Sequence, residues 1–210
     1  AKVVQEELHY DYIYHEHLCY FTFKTLEYLL NNHGLFIFDM ITSPISGGSI
    51  IVYVSKKKRK ETPIIQEYRD SEIKAKTNDL AAWEGFAKKS FEHKDKLINL
   101  IRAAQKNGDV VGYGASARSS TMLNFCKIDN QMISVIADKN PLKQGKFTAG
   151  TRIPIDKPEV VMARNPKAIL LLAWNFADEI PNYLEKELDF KGEYIIPLPN
   201  QPRIVKSRLS

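Results

Sequence analysis

A chain of 210 residues, 44% of them hydrophobic and 26% charged, is long enough to bury a core and ordinary in composition for a soluble globular protein. Its formal net charge of +5 suits an anionic small molecule and does not require nucleic acid. The longest apolar run, Ala168 to Trp174, is too short to span a membrane, and no signal peptide is visible. Cys19 and Cys126 are in no metal-like spacing. We therefore expect a cytoplasmic protein without a nucleic-acid or membrane partner.

The first quarter of the chain predicts a helix followed by two strands. Leucines and a phenylalanine recur at helical spacing over Phe21–Asn32, and Gly34 stands where a C-terminal cap is expected. Apolar runs at Leu35–Thr42 and Ser49–Ser55 flank a turn that contains Gly47 and Gly48. We expect these two strands to form an antiparallel pair at the edge of a sheet.

A basic run, Lys56–Lys60, follows the second strand and is interpreted as a solvated linker, with a polyanion-binding patch as the alternative. A domain boundary is expected near Lys56–Gln66. The period then changes to 3.6 over Glu67–Lys106, which predicts one long helix or two consecutive helices that end at Asn107–Gly108. The predicted buried stripe consists of Ile73, Leu80, Trp83, Phe86, Ala87, Leu97, Ile98 and Ile101.

Strands and helices alternate in the remainder of the chain. The predicted strands are Val110–Tyr113, Met132–Ala137, Ala168–Ala173 and Tyr194–Ile196, and the predicted helices are Ala117–Phe125 and Glu179–Leu188. Short buried strands that alternate with helices form βαβ units in a parallel sheet. The sequence therefore predicts an α/β fold.

A glycine-rich loop follows the first of these strands and fits the pattern G-x-G-x-x-A. We expect Gly112 to permit a tight turn, Gly114 to let the backbone approach a phosphate, and Ala117 to pack closely against a strand. Free amides at the helix start would then face the anion. Arg118 can add a charged contact, and hydroxyl donors are available from Ser116, Ser119, Ser120 and Thr121.

Asp138 closes the next strand, where a carboxylate can hold a ribose hydroxyl. Phosphate or nucleotide binding and a purely structural turn are both compatible with the loop, which does not indicate the nucleotide.

Titratable side chains are concentrated at Tyr14-His15-Glu16-His17. A histidine near its ordinary pKa is a natural general base near neutral pH, and a neighbouring carboxylate or phenol can orient it or polarise a carbonyl. The alternatives are a polar segment before a helix and a metal site, although H-E-x-x-H spacing is absent.

Several motifs occur together in one order along the chain: Tyr14-His15-Glu16-His17, Ser46-Gly47-Gly48-Ser49, Gly112–Arg118 with Thr121, Leu123 and Asn124, Asp138–Gly145, and Gly150–Ile155. This set resembles the C-terminal half of the S-adenosylmethionine-dependent C-methyltransferases that act on nucleotide-linked deoxysugars. The chain differs from the family pattern at Ser46, where the family usually has His, and at Arg118-Ser119, where it usually has Lys-Gly.

The resemblance implies a Rossmann-like, parallel-sheet C-terminal domain over residues 61–210, preceded by a helical segment. Residues 1–60 resemble the strand–helix tail of the methyl-donor domain. The family's zinc cysteines and donor loop have no counterpart, so the chain is similar to a fragment or to one subunit of a split enzyme. S-adenosylmethionine is then expected to bind largely outside this chain, with a separate donor-binding subunit as the expected partner, and the isolated chain is expected to be inactive.

By resemblance, His17 removes a proton beside a sugar ketone, with Tyr14 and Glu16 as active-site partners, and no metal is involved. The residues implied for binding the nucleotide-diphosphate sugar are Gly112, Tyr113, Gly114, Ala115, Ser116, Arg118, Thr121, Asp138 and Lys143. Two other functions remain open: an NAD(P)-dependent oxidoreductase, suggested by the glycine pattern and Asp138, and a non-catalytic nucleotide-binding module.

Overall fold

The computed structural model describes residues 1–44 and 47–209, so the sequence difference at Ser46 lies outside the described residues. The chain divides into two compact units. The first unit comprises Ala1–Leu8 and His17–Lys88, and the second comprises His9–Glu16 and Lys89–Ser210. The boundary predicted between residues 60 and 61 falls within the first unit. The assignment of residues 1–60 to a methyl-donor domain stays a prediction.

The first unit combines helices with a strand pair. Its elements are helix α1 (Lys2–Glu6), helix α2 (Phe23–Asn32), strand β1 (Phe36–Ser43), strand β2 (Ser49–Ser55) and helix α3 (Pro63–Ala75). The strands pair antiparallel, as predicted. Within the described residues they form a two-stranded sheet of their own and not the edge of a larger one.

Phe23, Ile37, Met40 and Ile65 form the buried core of the first unit. The start of α2 is fixed to α3 by Glu72, a buried carboxylate whose Oε1 accepts from the Phe23 amide at 2.7 Å. Thr22 and Thr25 add a reciprocal capping box. These bonds satisfy amides that no helix turn can reach, so the N-terminus of α2 is held in place by side chains.

Helix α4 (Leu80–Gln105) follows α3, which confirms two consecutive helices, and the chain turns at Asn107–Gly108 as predicted. The single buried stripe was wrong at Ile73 and Leu80, which are 73% and 75% exposed, and at Ala87, which is also exposed. Lys76 adopts a left-handed conformation (φ 54°) that ends α3. Because this break separates α3 from α4, the two helices do not share one helical phase. A single stripe extended across the break therefore assigns exposed residues to the buried face.

The second unit is an α/β sheet domain that contains the later part of α4. Its further elements are β3 (Val110–Tyr113), α5 (Ala117–Cys126), β4 (Ile136–Ala137), β5 (Ile155–Asp156), α6 (Pro158–Met162), β6 (Ala168–Leu171), α7 (Glu179–Leu188), β7 (Glu193–Ile196) and β8 (Arg203–Lys206). The strand order is β5-β4-β3-β6-β7-β8, and only β8 pairs antiparallel. This confirms the predicted α/β fold with a mostly parallel, Rossmann-like sheet.

Some elements of this sheet differ from the prediction. Strand β4 is shorter than expected because the amides of Met132 and Ile133 bond to the Asp129 carbonyl in a turn. The sequence did not predict β5, α6 or β8. Strand β5 has only two residues, and β8 is exposed along its length, so neither carries a clear hydrophobic period.

We predict that Glu72→Ala lowers the free energy of unfolding by about 1–3 kcal/mol, because it leaves buried amides at the start of α2 without an acceptor. Glu67→Ala, at an exposed position of the same helix, is the control and should change stability by less than about 0.5 kcal/mol. Urea denaturation of the two variants measures the difference. Equal stability of the two variants would show that the Glu72 bonds contribute nothing net.

Candidate functional site

A cleft of about 350 Å³ lies at the carboxyl ends of the central parallel strands of the second unit. Strands β4 and β5 lie on one side of β3 and β6 on the other, so the chain reverses direction across the sheet between β3 and β6. In open α/β sheets, ligands bind in the crevice at such a switch point. The cleft is lined by Tyr113, Gly114, Asp138, Lys139, Ala173, Phe176, Glu179, Ile180 and Tyr183.

The walls of the cleft combine aromatic rings with a small number of charges. The Lys139 ammonium lies 3.2 Å from the centroid of the Tyr183 ring, and the Tyr183 hydroxyl donates to Glu159 Oε1 at 3.3 Å. Burial raises the pKa of Tyr113 and of Tyr183, and nearby acidic groups raise both further, so each phenol keeps its proton. Such walls suit a planar or ring-shaped group that carries negative charge.

Glycines occupy the loop for packing reasons that differ from those predicted. Gly112 lies inside β3, where a Cβ would stand 2.8 Å from Ile136 Cγ1, so it permits close packing and not a tight turn. Gly114 makes the turn, with φ +94°, and a Cβ there would stand 2.6 Å from the Ala173 Cβ. Ala117 is exposed, so the predicted packing against a strand is not observed.

Asp138, which was predicted to hold a ribose hydroxyl, is buried and accepts hydrogen bonds from other residues of the second unit. Its Oδ2 accepts from the Ala115 amide at 2.7 Å and from Lys143 Nζ at 3.1 Å, and its Oδ1 accepts from the Asn140 amide at 2.8 Å. The carboxylate therefore joins the glycine loop to the segment after β4. Lys143 and Ala115, both predicted ligands, meet at this carboxylate.

Most donors at the start of α5 are also used within the protein. The Ser116 and Ser119 side chains and amides form a reciprocal capping box, and the Gly114 amide donates to the Ala137 carbonyl at 2.8 Å. Thr121 Oγ1 donates to the Ala117 carbonyl at 3.3 Å. The loop thus presents fewer free donors than the sequence predicted, and the aromatic walls make up more of the cleft.

The Tyr14–His17 motif follows a short 3-10 turn at Tyr10–Tyr12. Tyr14 is half-buried, and His15 and Glu16 are exposed; all three belong to the second unit. His17 is half-buried, belongs to the first unit and has its ring 6.3 Å from that of Tyr20. The catalytic roles of Tyr14, Glu16 and His17 stay predictions.

A buried ion pair that the sequence did not predict lies beside this motif. Arg118 Nε and Nη2 are 3.0 and 2.9 Å from Asp11 Oδ2, and Trp174 Nε1 donates to the same oxygen at 2.9 Å. The His9 ring lies 4.8 Å from Trp174. We call His9, Asp11, Arg118 and Trp174 the Asp11 cluster. Asp11 lies 107 residues from Arg118 and 163 residues from Trp174 in sequence, so no local pattern reveals the cluster.

The described residues contain no group of three His, Cys, Asp or Glu side chains that could hold a metal ion. No helix in the same residues is long and apolar enough to cross a membrane.

Gly114→Ala should destabilise the second unit more than Gly145→Ala does. Both glycines have positive φ, but a Cβ at Gly145 meets no atom within 4 Å, whereas one at Gly114 meets Ala173. Gly145→Ala therefore costs only the strain of a left-handed residue, about 1–2 kcal/mol, and Gly114→Ala adds about 1–3 kcal/mol of steric overlap. Thermal unfolding compares the two, and equal losses would contradict the close approach to Ala173.

Acid should destabilise the protein partly through His9. Burial, and secondarily the Arg118 guanidinium, lowers the pKa of His9 to about 4 from an ordinary value of about 6.5. Below pH 6.5 the unfolded chain takes up a proton that the folded chain refuses until about pH 4, so stability is lost as the pH falls through this window. His93, whose pKa burial also lowers, adds to the same loss.

The test of this pH dependence is urea denaturation from pH 7.5 to pH 4 with His9→Phe, which keeps a ring and removes the titration. The variant should lose less stability across the window than the wild type. Parallel curves would show that His9 is not held neutral.

Two comparisons with known proteins each match most of the chain. A family model described as the C-methyltransferase C-terminal domain matches residues 44–199, a range that includes the cleft and the glycine loop and leaves out Tyr14–His17. The C-methyltransferase NovU of Streptomyces niveus is 33% identical over 201 residues, which cover 94% of this chain and 48% of that protein. The chain therefore spans about half the length of this relative.

Proposed function

This chain belongs to the C-methyltransferase C-terminal domain family, and from that premise we propose that it is the sugar-binding part of an S-adenosylmethionine-dependent C-methyltransferase that acts on a nucleotide-linked keto-deoxysugar. The observation that carries the proposal is the cleft at the switch point between β3 and β6. It lies within the family-matched segment and combines aromatic walls with a cation, Lys139. We propose that the nucleotide diphosphate occupies it.

Binding in the cleft would use the walls more than the loop. Tyr183 and Phe176 offer ring surfaces to a base or a sugar, and Tyr113 offers a phenol that keeps its proton. Lys139 supplies the charge for a phosphate. Among the predicted ligands, Gly112 lies within β3, and Ala115 and Asp138 bond to each other. Ser116 caps α5, and Thr121 lies within that helix. The contacts of Arg118 favour a different role, argued below.

The methyl donor, S-adenosylmethionine, does not fit the glycine loop of the second unit. A nucleoside donor needs an acceptor for its ribose, and the carboxylate at that position, Asp138, already accepts from Ala115, Asn140 and Lys143. We therefore assign no residue of this chain to S-adenosylmethionine, whose contribution is an electrophilic methyl group. The same bonds weigh against the NAD(P)-dependent alternative.

The chemistry assigned to this chain is proton removal from the sugar. A C–H bond beside a ketone breaks when a base takes the proton, and the bonding electrons move to the ketone oxygen as an enolate. His17 is the proposed base because an imidazole accepts protons near neutral pH. The proposed partner Tyr14 donates its hydroxyl proton to the enolate oxygen, and the proposed partner Glu16, whose carboxylate only accepts, orients the site. S-adenosylmethionine bound elsewhere in the enzyme would supply the electrophilic methyl group: its methyl–sulfur bond would break as the new C–C bond forms, and the neutral thioether would leave.

The donor-binding part of the enzyme is the proposed partner of β1 and β2. Ile41 and Ile51 are cross-strand neighbours, and Tyr53 lies two residues from Ile51 on the same face. All three are more than 40% exposed. An apolar strip of this kind on a two-stranded sheet indicates a surface that another element covers.

We also propose a cytoplasmic location, with which the free thiols of Cys19 and Cys126 are compatible.

Isothermal titration with dTDP and with NADH tests the binding site. We expect dTDP to bind and Tyr183→Ala to weaken it about 10-fold, because stacking of a base on an aromatic ring is worth about 1–3 kcal/mol. Lys191→Ala, an exposed lysine outside the cleft, is the control. Tight NADH binding without any response to dTDP would favour the oxidoreductase alternative and overturn the proposal.

Methyl transfer in the presence of a donor-binding part tests the catalytic role. His17→Ala should lower kcat by about 10²–10⁴-fold, the usual contribution of a positioned base, whereas His33→Ala, at an exposed position after α2, should not. Methyl transfer that is equally fast in both variants would exclude His17 as the base. Absence of methyl transfer to every nucleotide sugar tested would favour the non-catalytic module.

A further inference from the structure

The Asp11 cluster holds the segment that carries two of the proposed active-site partners. We infer that Arg118 is a positioning residue: with Asp11 and Trp174 it fixes the segment His9–Glu16 on the second unit and so orients Tyr14 and Glu16. The roles of Tyr14 and Glu16 rest on the proposed function. The anchoring itself rests only on contacts within the second unit.

The contacts of Arg118 leave little of its side chain for a substrate. Nε and Nη2 both approach Asp11 Oδ2, and the guanidinium carbon lies 4.0 Å from the Tyr12 ring centroid and 4.6 Å from that of Trp174. The side chain is 16% exposed. An arginine that is paired, stacked on aromatic rings and mostly covered would have to break these contacts to bind a phosphate. We therefore call Arg118 a clamp, meaning that its contacts with Asp11, Tyr12 and Trp174 hold the segment His9–Glu16 in place.

Asp11 is the point at which the clamp holds the segment. Its side chain is only 1% exposed, and Oδ2 accepts hydrogen bonds from Trp174 Nε1 and Arg118 Nε, while Arg118 Nη2 lies within ion-pair distance at 2.9 Å. A buried carboxylate is costly unless it is paired, so moving this segment off the domain would break several charge-assisted contacts together. Asp11 lies three residues before Tyr14 and five before Glu16.

A second anchor lies one residue away. The Tyr10 hydroxyl is 3.0 Å from His93 Nδ1, and His93 Nε2 is 2.7 Å from the Pro197 carbonyl. Because a carbonyl only accepts, Nε2 carries the ring proton and Nδ1 accepts from Tyr10. Tyr10 thus bonds to α4, while Asp11 bonds to α5 and to the segment after β6. Two adjacent residues with separate anchors leave the turn before Tyr14 little freedom.

Hydrogen exchange tests the clamp without requiring a substrate. The amides of Tyr12, Ile13 and Tyr14 donate to carbonyls inside the turn. Arg118→Met should speed exchange in a peptide covering residues 9–16 by at least about 10-fold and leave a peptide from α3 unchanged. Arg118→Lys, which keeps the charge and loses the planar fork, should restore part of the protection. Arg102→Met, an exposed arginine of α4, is the matched control.

Binding and turnover separate positioning from substrate contact. Arg118→Met should leave dTDP affinity within about 2-fold, whereas loss of a charged substrate contact would weaken it about 10-fold or more. In methyl transfer with a donor-binding part, Arg118→Met should lower kcat and leave KM for the nucleotide sugar nearly unchanged. Exchange equal to that of Arg102→Met, or a 10-fold loss of dTDP affinity without faster exchange, would overturn the inference.

Asp11→Asn provides a second route to the same test if Arg118→Met does not fold. It keeps the size of the side chain and removes the charge, so the same peptide should exchange faster, and a double Asp11→Asn, Arg118→Gln variant should add little further change. Unchanged exchange in Asp11→Asn would also overturn the inference. If wild-type protein fails to bind dTDP, the proposed function fails, while the exchange result still decides whether the clamp exists.

Discussion

The buried carboxylate of Asp138 holds the cleft in its shape. It stands at the end of β4 and accepts a hydrogen bond from the Ala115 amide of the loop after β3. It also accepts hydrogen bonds from Lys143 and from the Asn140 amide, which belong to the segment after β4. Breaking these bonds would leave the loop attached to the neighbouring strand through the Gly114 amide and the Ala137 carbonyl, and would leave a carboxylate buried without partners. The spacing between Tyr113, Lys139 and the α7 side of the cleft depends on this connection. The geometry of the site therefore depends on bonds formed within the protein.

The architecture could be predicted from the sequence where packing imposes a period. Strand β2 and helix α7 have the predicted bounds, and β3 and β6 are fully buried strands that alternate with helices. Local signals failed where the chain is short or broken. Strand β5 is too short to show alternation, and the left-handed residue at Lys76 interrupts what looked like a single helical face. Hydrophobic periodicity describes one helix or strand at a time and does not show which other elements pack against it.

The candidate site was harder to predict than the fold because it depends on which strands become neighbours. Gly114 was identified from the glycine pattern, Asp138 from its place at the end of a predicted strand, and Tyr113 from the family resemblance. Phe176 and Tyr183 follow β6, and they join the cleft only because β6 pairs with β3. The rule that ligands bind at a switch point could have found them once the strand order was known. Asp11 and Trp174 had no such signal, since their contact joins distant segments through side chains alone.

Gly112 has a consequence for how glycine fingerprints are interpreted. Its missing Cβ makes room for Ile136 of the adjacent strand, and the missing Cβ of Gly114 makes room for Ala173. Both requirements come from the sheet and would persist with any ligand, or with none. During divergence, a lineage could exchange one bound nucleotide for another by altering the aromatic walls while selection on folding alone retained the fingerprint. The pattern G-x-G-x-x-A then indicates a shared fold. Ligand preference is determined by the residues that surround the pattern.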